Sequence, residues 1–327
     1  MARVAFIEKI GGPEVIQWRD VELPPPAKGE VWMRNTAVGL NYIDTYHRSG
    51  VYPVDLPSGL GSEAAGVVMA VGEGVTDFAP GDRVGTFGPS RGAYATERNV
   101  PANQLFKLPD TLDDRTAAAI LLKGTTAEFL VERCAKVQAG QTVLVHAAAG
   151  GVGHILVGWL KAIGATVIAS VGSEDKAART RKAGADHVIL HKSEDIAARV
   201  REITDGKGVP IILDGVGGAT WNASLDSAAK RGLIVSYGNA GGVVEGVNIG
   251  ILARKGSLFV TRPTLFDYYV TPEERQTGIA RLFAMLDSGA ITPEIGQTFA
   301  LEDAADAHRA VESGRTWGAR CCCRKAL

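Results

Sequence analysis

The chain has 327 residues, more than a single hydrophobic core usually supports, so we expect two domains. With 46% hydrophobic and 22% charged residues, its composition is that of a folded globular protein and excludes intrinsic disorder. The formal net charge is -1 and the basic residues are scattered, so no nucleic-acid partner is expected. Since no segment stays apolar for about 18 residues, we expect no membrane association and a cytoplasmic location.

Roughly the first 120 residues contain short β-branched runs separated by proline and glycine turns. Examples of such runs are Glu30–Arg34 and Gly66–Val71, and turn signals follow at Pro80–Asp82 and Gly88–Pro89. This pattern predicts a mostly antiparallel β domain.

From about Lys123 the pattern changes to strand, glycine turn, helix and strand, which predicts a parallel sheet with crossover helices. The strands expected for this doubly wound domain are Thr142–Ala147, Thr166–Val171, His187–Leu190, Pro210–Leu213, Leu233–Tyr237 and Leu258–Thr261. The helices expected between them are Val152–Ile163, Ser173–Ala183 and Ile196–Thr204. Beyond Leu265 the helical patterns are Pro272–Ser288 and Leu301–Ser313, before a short apolar stretch that can return to the first domain.

The first of these strands leads into a glycine turn of the kind that binds phosphate. Small residues stand at Ala147, Gly150 and Gly153, and the helix that follows has an apolar face. Small residues let the backbone approach a pyrophosphate, and the N–H groups of the first helical turn bind the anion. Taken alone, the pattern fits a purely structural turn about equally well.

The second strand ends without the Asp or Glu that an NAD-specific site uses to bind the ribose 2′-hydroxyl. Glu174 and Asp175 lie at the next helix start, where acidic residues are ordinary. Lys176 and Arg179 follow, and a cation at this point can reach a 2′-phosphate, although a solvated helix face is the commoner role of a lysine. The missing acid and the cation together predict NADPH rather than NADH as the cofactor.

Four cysteines occur, Cys134 and the consecutive Cys321–Cys323. Consecutive cysteines lack the Cys-x-x-Cys spacing of a zinc site, and the histidines show no ligand spacing either. We therefore expect no metal ion and no disulfide framework, and the cysteines fit a reducing compartment.

Motifs along nearly the full length resemble the NADPH:quinone oxidoreductases of the zeta-crystallin type, in the medium-chain dehydrogenase/reductase superfamily. They are Gly11–Val15, Gly39–Tyr46, Leu56–Gly66, Pro80–Val84, Leu122–Thr126, the glycine turn, Tyr237–Asn239 and Gly256–Pro263. The resemblance implies an α/β fold in which residues 1–122 and 265–327 form a GroES-like β-rich catalytic domain. Residues 123–264 would form a Rossmann-like NADPH-binding domain with a doubly wound parallel sheet, and the cofactor would lie in the cleft between the domains.

The resemblance also implies the cofactor contacts. Near the nicotinamide it places Asn41, Asp44, Thr45 and Tyr46, and at the pyrophosphate the turn residues Gly150, Gly151, Val152 and Gly153. At the adenosine ribose and its 2′-phosphate it places Gly172, Ser173 and Lys176, and on the nicotinamide side Tyr237, Gly238, Asn239, Arg262 and Pro263. Arg315 is expected to reach the cofactor from the last part of the chain. His191 stands where relatives often have tyrosine, and we expect it to stack or hydrogen-bond beside the adenine region.

Two features set this chain apart from related sequences. Zinc-dependent alcohol dehydrogenases of the superfamily have Cys where Asn41 stands and His where Ser62 stands, so the poor ligands here predict a zinc-free enzyme. Where the family has a short aliphatic strand, this chain has Cys321–Cys323 followed by Arg324–Leu327. We expect these thiols to be exposed, and a sequence irregularity explains them at least as well as a function.

Three functions remain open on the sequence. The first is NADPH-dependent reduction of a quinone, with Tyr46 and Asn41 as catalytic residues that hold the nicotinamide and hydrogen-bond the substrate carbonyl. The Tyr46 phenol is a weaker proposal for a proton donor. The second is reduction of α,β-unsaturated ketones or enoyl thioesters, and the third is a non-enzymatic NADPH- or RNA-binding role like that of lens zeta-crystallin. The physiological acceptor and the choice between one-electron and hydride transfer stay open. A homodimer is expected through the last strand, Gly256–Arg262.

Overall fold

The computed structural model describes residues 1–323, with the side chain of Cys323 left out, so the expected tail Arg324–Leu327 lies outside the described residues. The chain folds into two compact units. Unit 1 comprises Met1–Lys123 and the chain from Pro293 onward, and unit 2 comprises Gly124–Thr292. In the described part of the chain, no helix has both the length and the apolar character needed to span a membrane.

The strands in chain order are β1 (Ala2–Ile7), β2 (Gln17–Val21), β3 (Glu30–Leu40), β4 (Ser58–Gly59), β5 (Glu63–Val71), β6 (Arg83–Phe87), β7 (Glu97–Pro101), β8 (Leu105–Lys107), β9 (Thr142–His146), β10 (Thr166–Val171), β11 (His187–Leu190), β12 (Val209–Asp214), β13 (Ala228–Ser236), β14 (Phe259–Thr261), β15 (Ile295–Ala300) and β16 (Ala319–Cys323). The α-helices are α1 (Tyr42–Ser49), α2 (Asp114–Glu128), α3 (Gly151–Ala162), α4 (Glu174–Lys182), α5 (Ile196–Ile203), α6 (Trp221–Ser227), α7 (Gly250–Arg254), α8 (Pro272–Asp287) and α9 (Ala304–Glu312). A π-helical segment, Phe129–Cys134, directly follows α2.

Unit 1 is built on a seven-stranded sheet, counted over residues 1–323, in the order β15-β16-β3-β5-β6-β8 with β7 also paired to β3. The described pairs are antiparallel except β15 with β16. β3 carries the core, because its side chains Val31, Met33, Val38 and Leu40 are buried in one cluster, on which α9 packs. The expected antiparallel β domain is therefore confirmed.

Unit 2 is built on a parallel sheet in the order β11-β10-β9-β12-β13-β14. Both directions of winding start at β9, which makes the sheet doubly wound, as the sequence predicts. β10 and β11 have the expected bounds, whereas β13 begins at Ala228 rather than at Leu233. The apolar runs fit this arrangement, because each interior strand of such a sheet is covered by helices on both faces.

The segment 265–292 lies in unit 2, although the resemblance implied that it belongs with the β-rich domain. Its side chains explain the difference. Tyr269 Oη donates to Glu128 Oε2 at 2.8 Å, and Arg281 Nε donates to Glu132 Oε1 at 2.8 Å. Both acceptors belong to unit 2, so α8 and the turn before it pack there. The functional boundaries expected from the sequence, 1–122 with 265–327 and 123–264, stay a prediction.

β16 contains the consecutive cysteines and lies between β15 and β3. The expectation that these thiols are exposed is wrong for Cys321 and Cys322, which are 0% and 1% exposed. Cys322 packs in the unit 1 core, where a thiol behaves as a small apolar side chain. Cys322 therefore fills a core position of the kind for which the resemblance implies an aliphatic side chain.

Candidate cofactor site

The glycine turn joins β9 to α3 in unit 2. Ala147 adopts a left-handed backbone with φ 50°, and Gly150 N–H donates to its carbonyl oxygen at 2.8 Å. A Cβ on Gly153 would lie 2.3 Å from that same oxygen, closer than side chains approach backbone, so only glycine fits. The helix therefore begins directly against the turn.

The first turn of α3 presents its N–H groups to a ligand. The first helical hydrogen bond runs from His154 N to Gly150 O at 2.9 Å, so the N–H groups of Gly151, Val152 and Gly153 precede it. The first turn carries no acidic residue, and the N-cap is glycine. A pyrophosphate fits this cradle, because its charge would meet both these donors and the positive end of the helix dipole.

The end of β10 brings together four of the predicted adenosine-site residues. Gly172 follows the strand, and Ser173 is the N-cap of α4, where its Oγ accepts from Lys176 N at 3.4 Å. His191 Nδ1 lies 3.3 Å from Ser170 Oγ on β10, and a Cβ on Gly172 would lie 3.3 Å from His191 Nε2. Partial burial, and then the charges of nearby lysines, lower the pKa of His191.

The loops after β12 and β13 hold the predicted nicotinamide-side residues of unit 2. Tyr237 N–H donates to Asp214 O at 2.8 Å, and Arg262 Nη1 donates to the Ser236 and Gly238 carbonyls at 2.8 and 3.1 Å. Pro263 follows Arg262, and Asn239 follows Gly238. A Cβ on Gly238 would lie 2.3 Å from Gly215 O, so the two loops touch through glycines. All these residues lie at the carboxyl edge of the parallel sheet, as the glycine turn does.

Asp214, at the end of β12, organises the carboxyl edge of the sheet, and no motif in the sequence predicted this role. Its Oδ1 accepts from Val216 N and Gly217 N at 2.8 and 3.1 Å, which shapes the loop behind Tyr237. Its Oδ2 accepts from Ser224 Oγ at 2.8 Å, and Ser224 Oγ lies 3.1 Å from His146 Nε2. Because Ser224 donates its only hydroxyl proton to Asp214, the hydrogen bond between His146 and Ser224 must be donated by His146 Nε2–H. Burial lowers the pKa of His146. The cluster therefore fixes the carboxyl edge rather than activating a nucleophile.

The four predicted nicotinamide contacts of unit 1 lie at the start of α1. Asn41 is the N-cap, and its backbone N–H donates to Asp44 Oδ2 at 2.9 Å. Thr45 Oγ1 donates to the Tyr42 carbonyl at 2.7 Å. The Tyr46 ring packs against Tyr42 and Tyr52, with centroids 5.4 and 5.1 Å away, which fixes its orientation.

A buried carboxylate, Glu63, connects Asn41 to Lys123, and no sequence pattern predicted a role for either charged residue. Glu63 is 0% exposed and accepts from Asn41 Nδ2 at 2.8 Å, from Lys123 Nζ at 3.1 Å and from Leu122 N at 2.7 Å. Three donors, one of them charged, compensate the loss of water around this carboxylate. Glu63 and Lys123 both lie in sequence stretches that carry the family resemblance, and that position is the only sequence feature that could have marked them as functional.

A second buried chain of hydrogen bonds leads from Asp44 to α9. Asp44 Oδ2 accepts from Tyr94 Oη at 3.0 Å, Tyr94 Oη lies 3.0 Å from His308 Nε2, and His308 Nδ1 lies 3.2 Å from Arg48 Nη1. Arg48 also donates to Glu312 at 2.5 and 3.1 Å.

The guanidinium sets the direction of this chain, because it can only donate. His308 Nδ1 must therefore accept, His308 Nε2–H donates to Tyr94, and Tyr94 donates to Asp44. Burial and the charge of Arg48 lower the pKa of His308 to about 3, which agrees with a neutral imidazole. Burial raises the pKa of Asp44 to about 7, although its hydrogen bonds from Asn41 and Tyr94 oppose the shift.

The remaining predicted positions are Arg315 and the two positions, Asn41 and Ser62, at which zinc-dependent alcohol dehydrogenases have metal ligands. Arg315 lies in unit 1, exposed, in the segment after α9. Asn41 and Ser62 are buried in unit 1, and Ser62 Oγ lies 3.5 Å from Asp44 Oδ1. Over residues 1–323, no group of three His, Cys, Asp or Glu side chains is arranged to hold a metal ion.

Comparison with known proteins identifies the class. The family model for the alcohol dehydrogenase GroES-like domain matches residues 27–110, and that for the zinc-binding dehydrogenase matches residues 151–280. Together the two matched domains define the medium-chain dehydrogenase/reductase superfamily, in agreement with the fold of the two units.

Relatives narrow the class to a family. The quinone oxidoreductase of Pseudomonas aeruginosa is 49% identical over 319 residues, which cover 97% of this chain and 98% of that protein. The crystal structure of Escherichia coli quinone oxidoreductase complexed with NADPH has a TM-score of 0.96 at 44% identity, covering 98% of this chain and 99% of that one. The 2-haloacrylate reductase of Burkholderia is 44% identical over 97% of this chain and 98% of its own. The chain belongs to the quinone oxidoreductase family, as its motifs predict.

Proposed function

We propose that the protein is an NADPH-dependent quinone reductase. The observation that carries the proposal is the cradle formed by Ala147, Gly150 and Gly153 at the start of α3, in a chain that belongs to the quinone oxidoreductases. It leaves room for phosphate where any larger residue at position 153 would strike the Ala147 carbonyl. The E. coli relative, crystallised with NADPH, supports the choice of cofactor.

The proposed cofactor contacts divide between the two units. In unit 2, Gly150, Gly151, Val152 and Gly153 would hold the pyrophosphate, and Gly172, Ser173 and Lys176 the adenosine ribose with its 2′-phosphate. His191 would stack or hydrogen-bond beside the adenine region. Tyr237, Gly238, Asn239, Arg262 and Pro263 would line the nicotinamide side. In unit 1, Asn41, Asp44, Thr45 and Tyr46 would hold the nicotinamide, and Arg315 would add a positive charge near the cofactor. The hydrogen bonds within each loop support these assignments by fixing the backbone.

NADPH supplies a hydride when bound, and a quinone becomes a hydroquinone by accepting that hydride together with one proton from solvent. The residues of the chain then contribute orientation rather than bond making. Tyr46 is held between Tyr42 and Tyr52, and Asn41 is held by Glu63, so neither side chain needs to be ordered when substrate arrives. One amide N–H of Asn41 is committed to Glu63, and the other can donate to a quinone oxygen.

The test is turnover of a simple quinone by the purified protein with NADPH and, separately, with NADH. We expect NADPH oxidation that depends on the quinone and a clear preference for NADPH. Equal use of the two cofactors would contradict the assignment of Lys176. The Tyr46→Phe variant separates positioning from proton donation, because unchanged turnover with bound NADPH would remove the phenol as an acid.

The Burkholderia relative favours a second candidate function. Its name describes reduction of 2-haloacrylate, a compound with a carbon–carbon double bond conjugated to a carboxylate. The same hydride geometry serves such a bond, so this chain would then reduce α,β-unsaturated ketones or enoyl thioesters. A panel of quinones and enones under identical conditions compares the two, and faster turnover of enones would favour this second function.

We further propose a homodimer formed through β14. Among the described strands, β14 lies at the edge of the parallel sheet. Its side chains Phe259 and Val260 are 61% and 37% exposed, and Ile249, the N-cap of α7, is 78% exposed. An apolar sheet edge of this kind pairs readily with a second copy across a two-fold axis. Sedimentation that detects only a monomer would contradict the proposal.

A cytoplasmic location is proposed as well. Cys134 is not disulfide-bonded, which fits a reducing compartment. Cell fractionation in the native organism tests the location, and recovery outside the cytoplasmic fraction would contradict it.

A further inference from the structure

Three basic side chains converge above Gly172, at the carboxyl end of β10. A Cβ on Gly172 would lie 3.3 Å from His191 Nε2 and 3.5 Å from Lys192 Cε. Lys176, in the first turn of α4, is close enough to affect the titration of His191. The proposed function so far assigns no role to Lys192. The point where these groups meet is the point where the proposed function places the 2′-phosphate.

The hydrogen bond of His191 determines which ring nitrogen faces the ligand. Nδ1 lies 3.3 Å from Ser170 Oγ, on the strand that forms the floor of the site. Nε2 is therefore the nitrogen presented above Gly172, and the side chain is exposed at that point. A serine hydroxyl both donates and accepts, so Ser170 can bond to the neutral ring and to the protonated one.

Burial, and then the charges around His191, favour its neutral form when no anion is bound. Partial burial lowers the pKa of His191, and the ammonium groups of Lys192 and Lys176 lower it further. The titratable group that faces this region from β9 is His146, and burial lowers the pKa of that imidazole too. Near neutral pH the site therefore holds two full positive charges and an imidazole that can accept a third.

We propose that binding of NADPH is coupled to the uptake of one proton by His191, whereas binding of NADH is not. The inference rests on the proposed function, because it requires the 2′-phosphate to lie beside Gly172, Ser173 and Lys176. A phosphate monoester carries between one and two negative charges near neutral pH. An opposite charge within about 4–6 Å raises the pKa of an imidazole by about 1–3 units. Protonated His191 then donates from Nδ1 to Ser170 and from Nε2 to the phosphate, with Lys192 as a further cation.

Proton uptake makes cofactor selectivity depend on pH. The affinity for NADPH falls by at most about tenfold per pH unit over the range in which His191 loses its proton. We expect NADPH binding to weaken by about three- to tenfold between pH 6.5 and 8, with NADH binding nearly unchanged. The family that this sequence resembles often has a tyrosine at this position, and a phenol with an ordinary pKa of about 10 would not titrate between pH 6.5 and 8.

The test is calorimetric titration of the protein with NADPH near neutral pH in two buffers of different ionisation enthalpy, which counts the protons taken up. His191→Gln is the matched variant, because glutamine keeps a donor but does not titrate. NADH is the matched ligand, since it lacks the phosphate. We expect about half to one proton per NADPH in the wild type, and clearly fewer in His191→Gln and with NADH. Any proton that the phosphate itself takes up or releases is the same in the wild type and in His191→Gln, so it cancels when their proton counts are compared.

The outcomes separate this inference from the proposed function. If NADPH binds tightly and selectively but wild type and His191→Gln take up the same number of protons, the inference is overturned and the proposed function stands. If the wild type binds NADPH no more tightly than NADH at any pH, both fail. If the wild type takes up more protons with NADPH than with NADH, and His191→Gln does not, the inference is supported.

Discussion

The buried carboxyl of Asp44 provides a test of the unit 1 site that needs no cofactor. In Asp44→Asn, an asparagine oxygen at the Oδ2 position keeps the hydrogen bonds from Asn41 and Tyr94, which are 2.9 and 3.0 Å long. The amide nitrogen then faces the hydroxyl of Ser62, which can accept. The variant therefore removes the ionisation and leaves the packing nearly intact.

The sign of the effect follows from the direction of the pKa shift. Burial raises the pKa of Asp44 from 3.8 to about 7, so the native protein holds this proton more tightly than the unfolded chain does. The resulting stabilisation is complete below the unfolded value and is lost as the pH rises through about 7. With these two pKa values, the wild type loses about 2–3 kcal/mol relative to Asp44→Asn between about pH 5 and about pH 8.

Urea unfolding of both proteins, followed by tryptophan fluorescence at several pH values, measures this difference. His47 and His308, whose pKa values burial lowers to about 4 and about 3, change stability in the opposite direction, but they are present in both proteins and cancel. Two unfolding free energies that run parallel from pH 5 to pH 8 would show that Asp44 titrates normally, and the reasoning about this buried carboxyl would be refuted.

Three other substitutions test features of the two units. Lys123→Met leaves the buried Glu63 charge without its cation, and we expect a loss of about 3–5 kcal/mol in urea unfolding, partly restored by adding Glu63→Gln. Gly153→Ala places a methyl group 2.3 Å from the Ala147 carbonyl, so NADPH binding measured by fluorescence titration should weaken more than about tenfold; an unchanged Kd would argue against the cradle. Cys322→Val conserves an apolar side chain in β16 and should change stability by less than about 1.5 kcal/mol, whereas loss of turnover would show a specific role for the thiol.

The doubly wound sheet was predictable from the sequence because its strands are apolar runs bounded by turn residues. β10 and β11 have the predicted bounds for this reason. The helix α2 was not predicted, since the residues Ala117–Leu121 are all 0% exposed and a helix buried on every side shows no periodicity. Local pattern thus identifies elements that have one buried face or a clear boundary.

The charged networks of unit 1 could not be predicted, because they join residues far apart in the chain. Arg48 bonds to His308 and Glu312 from 260 and 264 positions away. Composition and spacing contain no information on such pairs, and the family resemblance marked Asn41 and Asp44 without their partners. The glycine turn was predictable because a strand, a turn and a helix are adjacent in sequence and the geometry of glycine is local.

The position of β16 has a consequence for the order in which the protein folds during synthesis. Its partner β3 is made early, but β16 is made only after the whole of unit 2, Gly124–Thr292, has been synthesised. Unit 2 is continuous in the chain and can fold as it emerges, while β3 waits with an unpaired edge. Translation that stops before residue 319 would therefore release a folded unit 2 attached to an incomplete sheet, and that open edge is where such a product would aggregate.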